Sequence, residues 1–330
     1  TKNINFKNFV IKIKKFQISK KLRLLLNQNN RILSTLRPEY KYSYNNRIIS
    51  KFKKSSSFTL IGMGGSILGA QAIYDFLKYK IKKNFLFINN IDSNLILSHK
   101  KNNVNLIISK SGNTLETIVN ANIFIKKKDR NIFITEHTNN YLLNLGKKIK
   151  AEIIEHRNYI GGRYSVLSEV GMLPAELMGL NEKKFKQFNN LIKNKKFLNS
   201  LVSNVESILY FIKKDKFTSI ILNYDERSDN LFKWYQQLVA ESLGKKSKGI
   251  LPIISSMPKD NHSLMQLYLD GPKKSFYTFF HIFNKQSIKI KSKELFSKSK
   301  YLISKDLNKI IYSQKIATEN VFKRKKIPFR

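Results

Sequence analysis

The sequence predicts an α/β protein of two tandem αβα sandwich domains with parallel-sheet cores and helical extensions at both ends. Its 330 residues are enough for about two domains. Short apolar runs, typical of buried strands, alternate with segments in which apolar residues recur at helical spacing. This alternation favours parallel sheets covered by helices, and such sheets bind ligands where their strands end. We therefore expect the functional residues in the segments that follow the strands.

The first domain is predicted over residues 51–185, after a helical N-terminal extension over residues 1–50. In the extension, apolar residues recur at helical spacing at Phe6, Phe9, Val10 and Ile13. The strands of this domain are predicted at 58–61, 85–89, 105–108 and 131–135.

The second domain is predicted over residues 186–300, followed by a C-terminal helical arm over residues 301–330. Its apolar runs predict a strand at 217–222 and another near 249–255. The segment between them, 232–243, has the spacing of a helix and carries the single tryptophan of the chain.

The composition limits the possible partners. Lysine and arginine number 62 against 22 acidic residues, a formal net charge of +40. The lysines are spread along the whole chain together with many Asn and Ile, so codon bias explains the charge at least as well as a nucleic-acid partner, and we expect no specific nucleic-acid binding. The absence of cysteine excludes disulfides and favours a reducing, cytoplasmic location. We expect no membrane span, no signal peptide and no metal site.

A phosphate site is predicted where the strand 105–108 ends. A hydroxyl-rich loop follows it, and a helix begins near Thr114. The free N–H groups and the dipole of such a helix favour an anion, to which the hydroxyls donate. An ordinary turn with an N-cap is the alternative, and the nucleotide-binding pattern G-x-x-x-x-G-K-[ST] is absent. The loop consists of Ser109, Lys110, Ser111, Gly112, Asn113 and Thr114.

A glycine-rich turn follows the strand 58–61 and ends at Ser66, before an amphipathic helix. The dinucleotide fingerprint G-x-G-x-x-G fails here because Ile67 stands at the place of its last glycine. The acidic residue Asp92 also lies thirty residues beyond Gly62 instead of about twenty. A nicotinamide enzyme is therefore the weaker interpretation, and Ser66 is either a ligand-binding hydroxyl or a helix N-cap.

Two further patterns predict charged groups with a chemical role. Arg163 follows Gly161 and Gly162, and a guanidinium held by such a turn suits an anion or a developing enolate charge. The alternative is a structural arginine paired with a carboxylate. Gln237 and Glu241 are four residues apart in the predicted helix and share a face, where a carboxylate suits a general base.

These stretches resemble the glucose-6-phosphate isomerase family, which has the sugar isomerase (SIS) fold. GMGGSILG (62–69) resembles GIGGSxLG, and SKSGNTLET (109–117) resembles SKSGTTTET. GGRYSVLSEVGMLP (161–174) is similar to GGRYSVxSxVGLLP, with Glu169 where many relatives have a small or apolar residue. WYQQLVAESLGK (234–245) is similar to WxxQLxxESxGK, and DNHSLMQLYLDGP (260–272) to DQHSxxQLxxDGP. The resemblance is good over roughly residues 55–275.

The C-terminal resemblance is poorer. The family pattern [FY]-x-Q-x-[GA]-V-E-x-x-K fits YSQKIATENVFK (312–323) only with an inserted residue on each side of Glu319. This alignment places Gln314 and Lys323 in the pattern, and Lys325 and Lys326 are rivals of Lys323.

The resemblance implies two SIS-type domains that interconvert glucose 6-phosphate and fructose 6-phosphate through a cis-enediolate, without a cofactor or metal. Glu241 is then expected to move the proton between C1 and C2, and Arg163 to stabilise the enediolate. His262 and Lys323 are expected to open the sugar ring, with His262 supplied by the partner subunit of a homodimer. The implied substrate-binding residues are Ser66, Ser109, Lys110, Ser111, Thr114, Glu116, Gly162, Gln237 and Gln314.

Three alternatives remain open from the sequence. A bifunctional phosphoglucose/phosphomannose isomerase would share every motif. A non-catalytic sugar-phosphate-binding SIS protein would keep the phosphate loops but would not need Glu241 and Arg163, which are both present. A basic nucleic-acid-binding protein would need aromatic or basic residues clustered on one face.

Overall fold

The structure is a computed structural model of the chain that describes residues 9, 17–28, 30–94, 102–126, 128–284, 287–291 and 297–330. The chain forms two compact units. The five-stranded unit comprises residues 21–195 and 230–242, and the three-stranded unit comprises residues 1–20, 196–229 and 243–330. These units are not continuous segments, and the domain boundaries drawn from the sequence stay a prediction.

Among the described residues, eight strands form two sheets, and all the pairings between these strands are parallel. The strand order is β2-β1-β3-β4-β5 in one sheet and β7-β6-β8 in the other. The strands are β1 (Ser57–Gly62), β2 (Asn84–Ile88), β3 (Asn103–Ile108), β4 (Arg130–Thr135), β5 (Glu152–Glu155), β6 (Thr218–Asn223), β7 (Leu251–Ser256) and β8 (Ser275–Phe280).

Helices connect the strands. Within the described residues they are α1 (Ile18–Asn27), α2 (Arg31–Ser34), α3 (Asn46–Phe52), α4 (Leu68–Leu77), α5 (Leu115–Phe124), α6 (Tyr141–Lys148), α7 (Glu169–Leu177), α8 (Phe188–Lys193), α9 (Lys195–Lys213), α10 (Asp229–Leu243), α11 (Met265–Asp270) and α12 (Leu307–Arg324). In this described part of the chain, no helix combines the length and the apolarity that a membrane span requires.

The five-stranded sheet is buried at its centre. Every residue of β1 is buried, as are all residues of β3 and β4 except the first of each. Central parallel strands are covered on both faces, which explains their nearly continuous apolar sequences. The order 2-1-3-4-5 reverses direction between β1 and β3, and ligands of such sheets bind at this reversal, outside the carboxyl ends of the strands. Both loops singled out in the sequence follow these two strands.

The three-stranded unit has its own core of aromatic side chains. Phe276 is fully buried between Phe9 and Phe211, with ring centroids 5.9 Å from each of them. Phe9 is the only described member of the helical pattern predicted near the N-terminus; its other three positions lie outside the described residues.

The C-terminal segment is not only helical, which corrects one detail of the predicted arm. After α12, Phe329 lies beside Tyr277 in a parallel bridge. The backbone N–H of Tyr277 donates to the carbonyl of Pro328 at 3.0 Å, and that of Arg330 donates to Tyr277 at 3.1 Å. The edge of β8 has backbone groups that need partners, and these last residues supply them.

The six strands predicted from the sequence are all present, within two residues at each end, whereas β5 and β8 were not predicted. The strand β5 is a four-residue edge strand, EIIE, whose charged ends leave only a two-residue apolar run. The strand β8, SFYTFF, is aromatic rather than aliphatic, so its signal is β-propensity and not an apolar run of Ile, Leu and Val.

Candidate functional site

The loop after β1 packs tightly against two other segments of the five-stranded unit. Gly64 has a φ of +49°, and a Cβ atom there would lie 2.8 Å from Nε2 of Gln237. A Cβ atom on Gly65 would lie 2.2 Å from the backbone of Gly162. Glycine is therefore needed at both positions, because the turn that carries Arg163 and the helix α10 come close to the backbone of this loop.

The helices α4 and α5 both begin without a side-chain cap. The N-cap residues are Ile67 and Thr114, and neither side chain accepts a bond from the first turn. The Thr114 hydroxyl instead lies 2.9 Å from the Ser109 hydroxyl. Ser66 is therefore not the N-cap of α4, whereas Thr114 is the N-cap residue of α5 without a side-chain capping bond. Two neighbouring helix N-termini at the reversal point of the sheet form an arrangement that can bind an anion.

The rest of the loop after β3 is held by protein contacts. Gly112 has a φ of +65°, and a Cβ atom there would overlap Oδ1 of Asn140 at 1.9 Å. The Nζ atom of Lys110 donates to the carbonyl of Asn158 at 2.6 Å and lies 3.6 Å from the Glu136 carboxylate. The side chain of Lys110 therefore points to protein acceptors, and its predicted phosphate contact stays a prediction. Ser111 is exposed at the tip of the loop.

The predicted acid–base group and the predicted cation contact each other directly. Nη1 of Arg163 donates to Oε1 of Glu241 at 2.7 Å, and Nε donates to the Ser242 hydroxyl at 2.9 Å. The Arg163 side chain is 18% exposed, whereas that of Glu241 is 50% exposed. The arginine is thus held in place, while the carboxylate remains accessible to a ligand.

Gln237 completes this group. Its Nε2 donates to the other carboxylate oxygen of Glu241 at 3.3 Å, as expected for residues one helical turn apart. Its Oε1 atom is buried and has no hydrogen-bond partner among the described residues. A buried acceptor without a donor is unusual in a folded protein, and a ligand hydroxyl group would satisfy it.

Glu116 lies in the first turn of α5, where it is half-buried. A carboxylate at a helix N-terminus interacts favourably with the helix dipole. Its predicted role beside the substrate stays a prediction.

The three-stranded unit carries the other predicted residues. His262 is exposed, in the turn that follows β7. The neighbouring Asp260 fixes this turn, because its carboxylate accepts bonds from the Ser255 hydroxyl at 2.9 Å and the Ser256 N–H at 2.8 Å. His262 is therefore placed by a rigid turn at a carboxyl strand end, as a ligand-binding side chain would be.

Gln314 and Lys323 both lie on α12 and are exposed. They are nine residues apart, which is about two and a half helical turns, or roughly 14 Å along the axis. They consequently lie on opposite faces of the helix, and one small ligand does not contact both. The C-terminal pattern placed both residues in one site, and their positions on α12 separate them.

The rival lysines have other surroundings. Lys325 donates to the Asp270 carboxylate at 2.6 Å. Both Lys325 and Lys326 line a cavity of about 430 Å³ in the three-stranded unit, together with Tyr268 and Tyr277. None of the predicted site residues lines this cavity.

Two contributors to the site of the five-stranded unit were not predicted. The hydroxyls of Ser242 and Tyr164 lie 3.0 Å apart, and both residues contact the Arg163 guanidinium. Both belong to the motifs quoted above, so a signal was present. Outside this group, His156 follows β5; it is fully buried, and burial lowers its pKa to about 4. Among the described residues, no group of three or more His, Asp or Glu side chains is arranged to hold a metal ion.

Solved structures with the same architecture define the class of this fold. A Thermus thermophilus protein described as hypothetical has a TM-score of 0.77 at 21% identity, covering 94% of this chain and 82% of its own. A glucose-6-phosphate isomerase from Chlamydia trachomatis has a TM-score of 0.61 at 18% identity, covering 84% of this chain and 57% of its own. The chain has the SIS-type α/β fold of the phosphosugar isomerases.

Sequence comparison then gives the family. A family model described as phosphoglucose isomerase matches residues 47–258. The glucose-6-phosphate isomerase of Methanocaldococcus jannaschii is 37% identical, over 70% of this chain and 62% of that protein. The chain therefore belongs to the phosphoglucose isomerase family. It spans less than two thirds of the length of that relative.

Proposed function

We propose that this protein interconverts glucose 6-phosphate and fructose 6-phosphate through a cis-enediolate intermediate, as a step of glycolysis and gluconeogenesis. The observation that carries the proposal is the direct contact of Arg163 with Glu241, with Gln237 beside them, next to the loop after β1. These groups are the cation, base and hydroxyl-binding amide that an aldose–ketose isomerisation requires. The relative from Methanocaldococcus jannaschii bears the name of this enzyme.

We assign the binding of the substrate phosphate to the loops after β1 and β3. The uncapped N-termini of α4 and α5 supply N–H donors, and the hydroxyls of Ser66, Ser109, Ser111 and Thr114 lie at the same carboxyl ends of β1 and β3. A phosphate held there is remote from C1 and C2, so its binding energy positions the reacting carbons without taking part in the reaction.

The proton transfer is assigned to Glu241. Its carboxylate is half-exposed and therefore reaches a bound sugar, from which it removes the C2 proton before returning it to C1. Arg163 stabilises the negative charge that develops on the enediolate oxygens, and charge already oriented in this way is a large contribution to catalysis. The free Oε1 atom of Gln237 accepts a bond from a sugar hydroxyl.

The decisive experiment is a coupled assay of fructose 6-phosphate formation from glucose 6-phosphate, with mannose 6-phosphate assayed in parallel. We expect turnover of glucose 6-phosphate. Sugar-phosphate binding without turnover would instead identify a non-catalytic SIS protein. Equal turnover of mannose 6-phosphate would identify a bifunctional isomerase.

We also propose a cytoplasmic homodimer in which His262 of each subunit completes the site of the other and helps to open the sugar ring. The exposure of His262 on a rigid turn supports this role. Inactive His262→Ala chains mixed with inactive Glu241→Gln chains are expected to recover activity, because hybrid dimers then contain one intact site. A monomer with full activity, measured by light scattering alongside the assay, would contradict this arrangement.

A further inference from the structure

Glu169 is a buried carboxylate at an unexpected place. It is the first residue of α7, directly after the turn that carries Arg163, and it is 0% exposed. Its Oε2 atom accepts a bond from the Tyr40 hydroxyl at 3.0 Å, and its Oε1 atom accepts one from the Arg157 N–H at 3.5 Å. Burial raises the pKa of this carboxyl group. Acidic side chains are rarely buried unless paired, so this residue calls for a physical explanation.

A buried cation accompanies it. Lys186 is 4% exposed, and its Nζ atom donates to the carbonyls of Thr35 and Leu167. The ammonium group also lies 4.8 Å from the centre of the Tyr40 ring. Burial lowers the pKa of Lys186 to about 8, and the negative charge of Glu169 opposes that shift. We call Tyr40, Arg157, Glu169 and Lys186 the buried charge cluster, after its two buried members Glu169 and Lys186; Tyr40 and Arg157 are half-buried.

The buried charge cluster ties both ends of the Arg163 segment to one piece of chain, residues 35–41. Arg157, before the turn, donates through Nη2 to the Lys41 carbonyl at 2.7 Å. Leu167 and Glu169, after the turn, are bound to Lys186 and Tyr40 respectively. The backbone of residues 157–169 is thus held on both sides of Arg163.

Stability alone is a weak reason for this arrangement. Burying a charged group costs free energy that its hydrogen bonds only partly return, whereas directional bonds to backbone groups fix one conformation. The turn leaves little freedom, because Gly162 contacts Gly65 and Arg163 contacts Glu241 at 2.7 Å. A displacement of about 1 Å at such a group is enough to lower a rate about a hundredfold.

We propose that Glu169 is a positioning residue for Arg163: through the buried charge cluster, it holds residues 157–169 so that the guanidinium meets the charge of the reaction intermediate. The inference rests on the proposed isomerase function, which it deepens. Glu169 itself does not contact the substrate and acts only through the backbone of this segment.

The chain offers a matched control on the same helix. Glu176 also lies on α7, and its carboxylate also accepts a bond from a tyrosine hydroxyl, that of Tyr44, at 2.6 Å. Among the described residues, no hydrogen bond joins the Glu176 side chain to residues 157–169. Glu169→Ala and Glu176→Ala therefore remove the same kind of bond, but only the first releases the Arg163 segment. Glu169→Gln keeps an acceptor for Tyr40 or Arg157 and removes the charge.

The experiment measures kcat and KM for glucose 6-phosphate at a temperature where circular dichroism shows each variant fully folded. For Glu169→Ala we expect kcat to fall at least about tenfold with less than about a threefold change in KM. Glu169→Gln should recover most of the loss, and Glu176→Ala should retain the kcat of the unmodified protein. A folded Glu169→Ala protein with unchanged kcat, or an equal loss in Glu176→Ala, would overturn the inference.

A second measurement does not depend on activity. Amide hydrogen exchange over residues 161–167 should accelerate in Glu169→Ala and remain unchanged in Glu176→Ala. If Glu169→Ala does not fold, the doubly apolar variant Glu169→Leu/Lys186→Met takes its place and should exchange faster over the same residues. Unmodified protein that lacks isomerase activity refutes the proposed function, whereas unchanged exchange refutes the positioning role.

Discussion

The two units differ in how their predicted site residues are connected. In the five-stranded unit, Arg163 and Gln237 both donate hydrogen bonds to the Glu241 carboxylate, at 2.7 and 3.3 Å. In the three-stranded unit, His262 lies in a turn after β7, whereas Gln314 and Lys323 lie on opposite faces of α12. These contacts place the predicted residues of the first unit beside one another, and their roles are proposals. The assignments in the second unit depend on sequence resemblance, and the resemblance is weakest on the same helix.

The largest expected effect tests the connected site. Glu241→Gln keeps the shape and hydrogen-bonding capacity of the side chain but does not accept the C2 proton. Because a positioned base contributes about a hundred- to ten-thousandfold, we expect kcat to fall at least about a hundredfold. The loops after β1 and β3, to which we assign phosphate binding, are untouched, so KM should change little. Steady-state kinetics measure kcat and KM, and exchange of the C2 hydrogen with solvent measures the proton transfer.

Exchange of the C2 hydrogen should decrease in parallel with kcat. If Glu241→Gln turns over normally, another group is the base and the ion pair with Arg163 is structural. Glu116 would then be the next residue to replace, since it lies in the first turn of α5 beside the predicted phosphate loop.

The second prediction concerns the stability of the five-stranded unit. Burial holds the pKa of His156 at about 4, below its ordinary value of 6.5. The folded protein therefore keeps this imidazole neutral, while the unfolded chain binds a proton as the pH falls below 6.5. Acid thus favours unfolding, and His156 alone should lower the free energy of unfolding by about 3 kcal/mol between pH 7 and pH 4.

Denaturant unfolding at several pH values, on the unmodified protein and on His156→Gln, isolates this contribution. The variant should lose less stability between pH 6.5 and pH 4, whatever its stability at neutral pH. Parallel pH profiles for the two proteins would show that His156 titrates normally.

The third prediction tests whether the contact between the β1 loop and α10 matters for binding. Gly64→Ala puts a methyl group 2.8 Å from Nε2 of Gln237 at a φ of +49°. We expect a loss of about 1–2 kcal/mol in stability and a several-fold loss in kcat/KM. Gly179→Ala is the matched control, because its φ is +87° and a Cβ atom there has nothing within 4 Å. It should lose similar stability and retain kcat/KM.

Thermal denaturation and kinetics on the two glycine variants provide the measurements. Equal losses of kcat/KM in both variants would mean that backbone strain, and not the position of Gln237, accounts for the effect.

The smallest expected effect belongs to the three-stranded unit. Lys323→Ala should slow turnover of the cyclic substrate several-fold and leave an open-chain analogue unaffected, because its proposed role is ring opening. Lys325→Ala and Lys326→Ala are the controls, since these lysines line a cavity away from the other predicted residues. A silent Lys323→Ala beside an impaired Lys325→Ala or Lys326→Ala would show that the C-terminal alignment is shifted by two or three residues.

Local patterns in the sequence account for most of the fold and for part of the site. Apolar runs located β1, β3 and β4, and the i, i+4 spacing correctly placed Gln237 beside Glu241. The spacing of apolar residues does not reveal which distant segments of the chain contact each other. The partner of Arg163 is 78 residues away along the chain, and the partner of Glu169 is 129 residues away.

The same limit applies to the edges of the sheets. The strand β5 is too short to produce a pattern, and Phe329 pairs with Tyr277 only because the chain returns to the edge of β8. Such pairings depend on the tertiary fold and leave no pattern in the local sequence.

The ion pair of Arg163 and Glu241 leaves the guanidinium with little charge of its own to attract a ligand from a distance. If the protein binds a sugar phosphate as we propose, the approach of this dianion is driven by the net charge of +40 on the chain. Long-range attraction of this kind raises association rate constants and is screened as ionic strength increases. We therefore expect added salt to lower the association rate constant of a sugar phosphate and to leave the chemical step nearly unchanged.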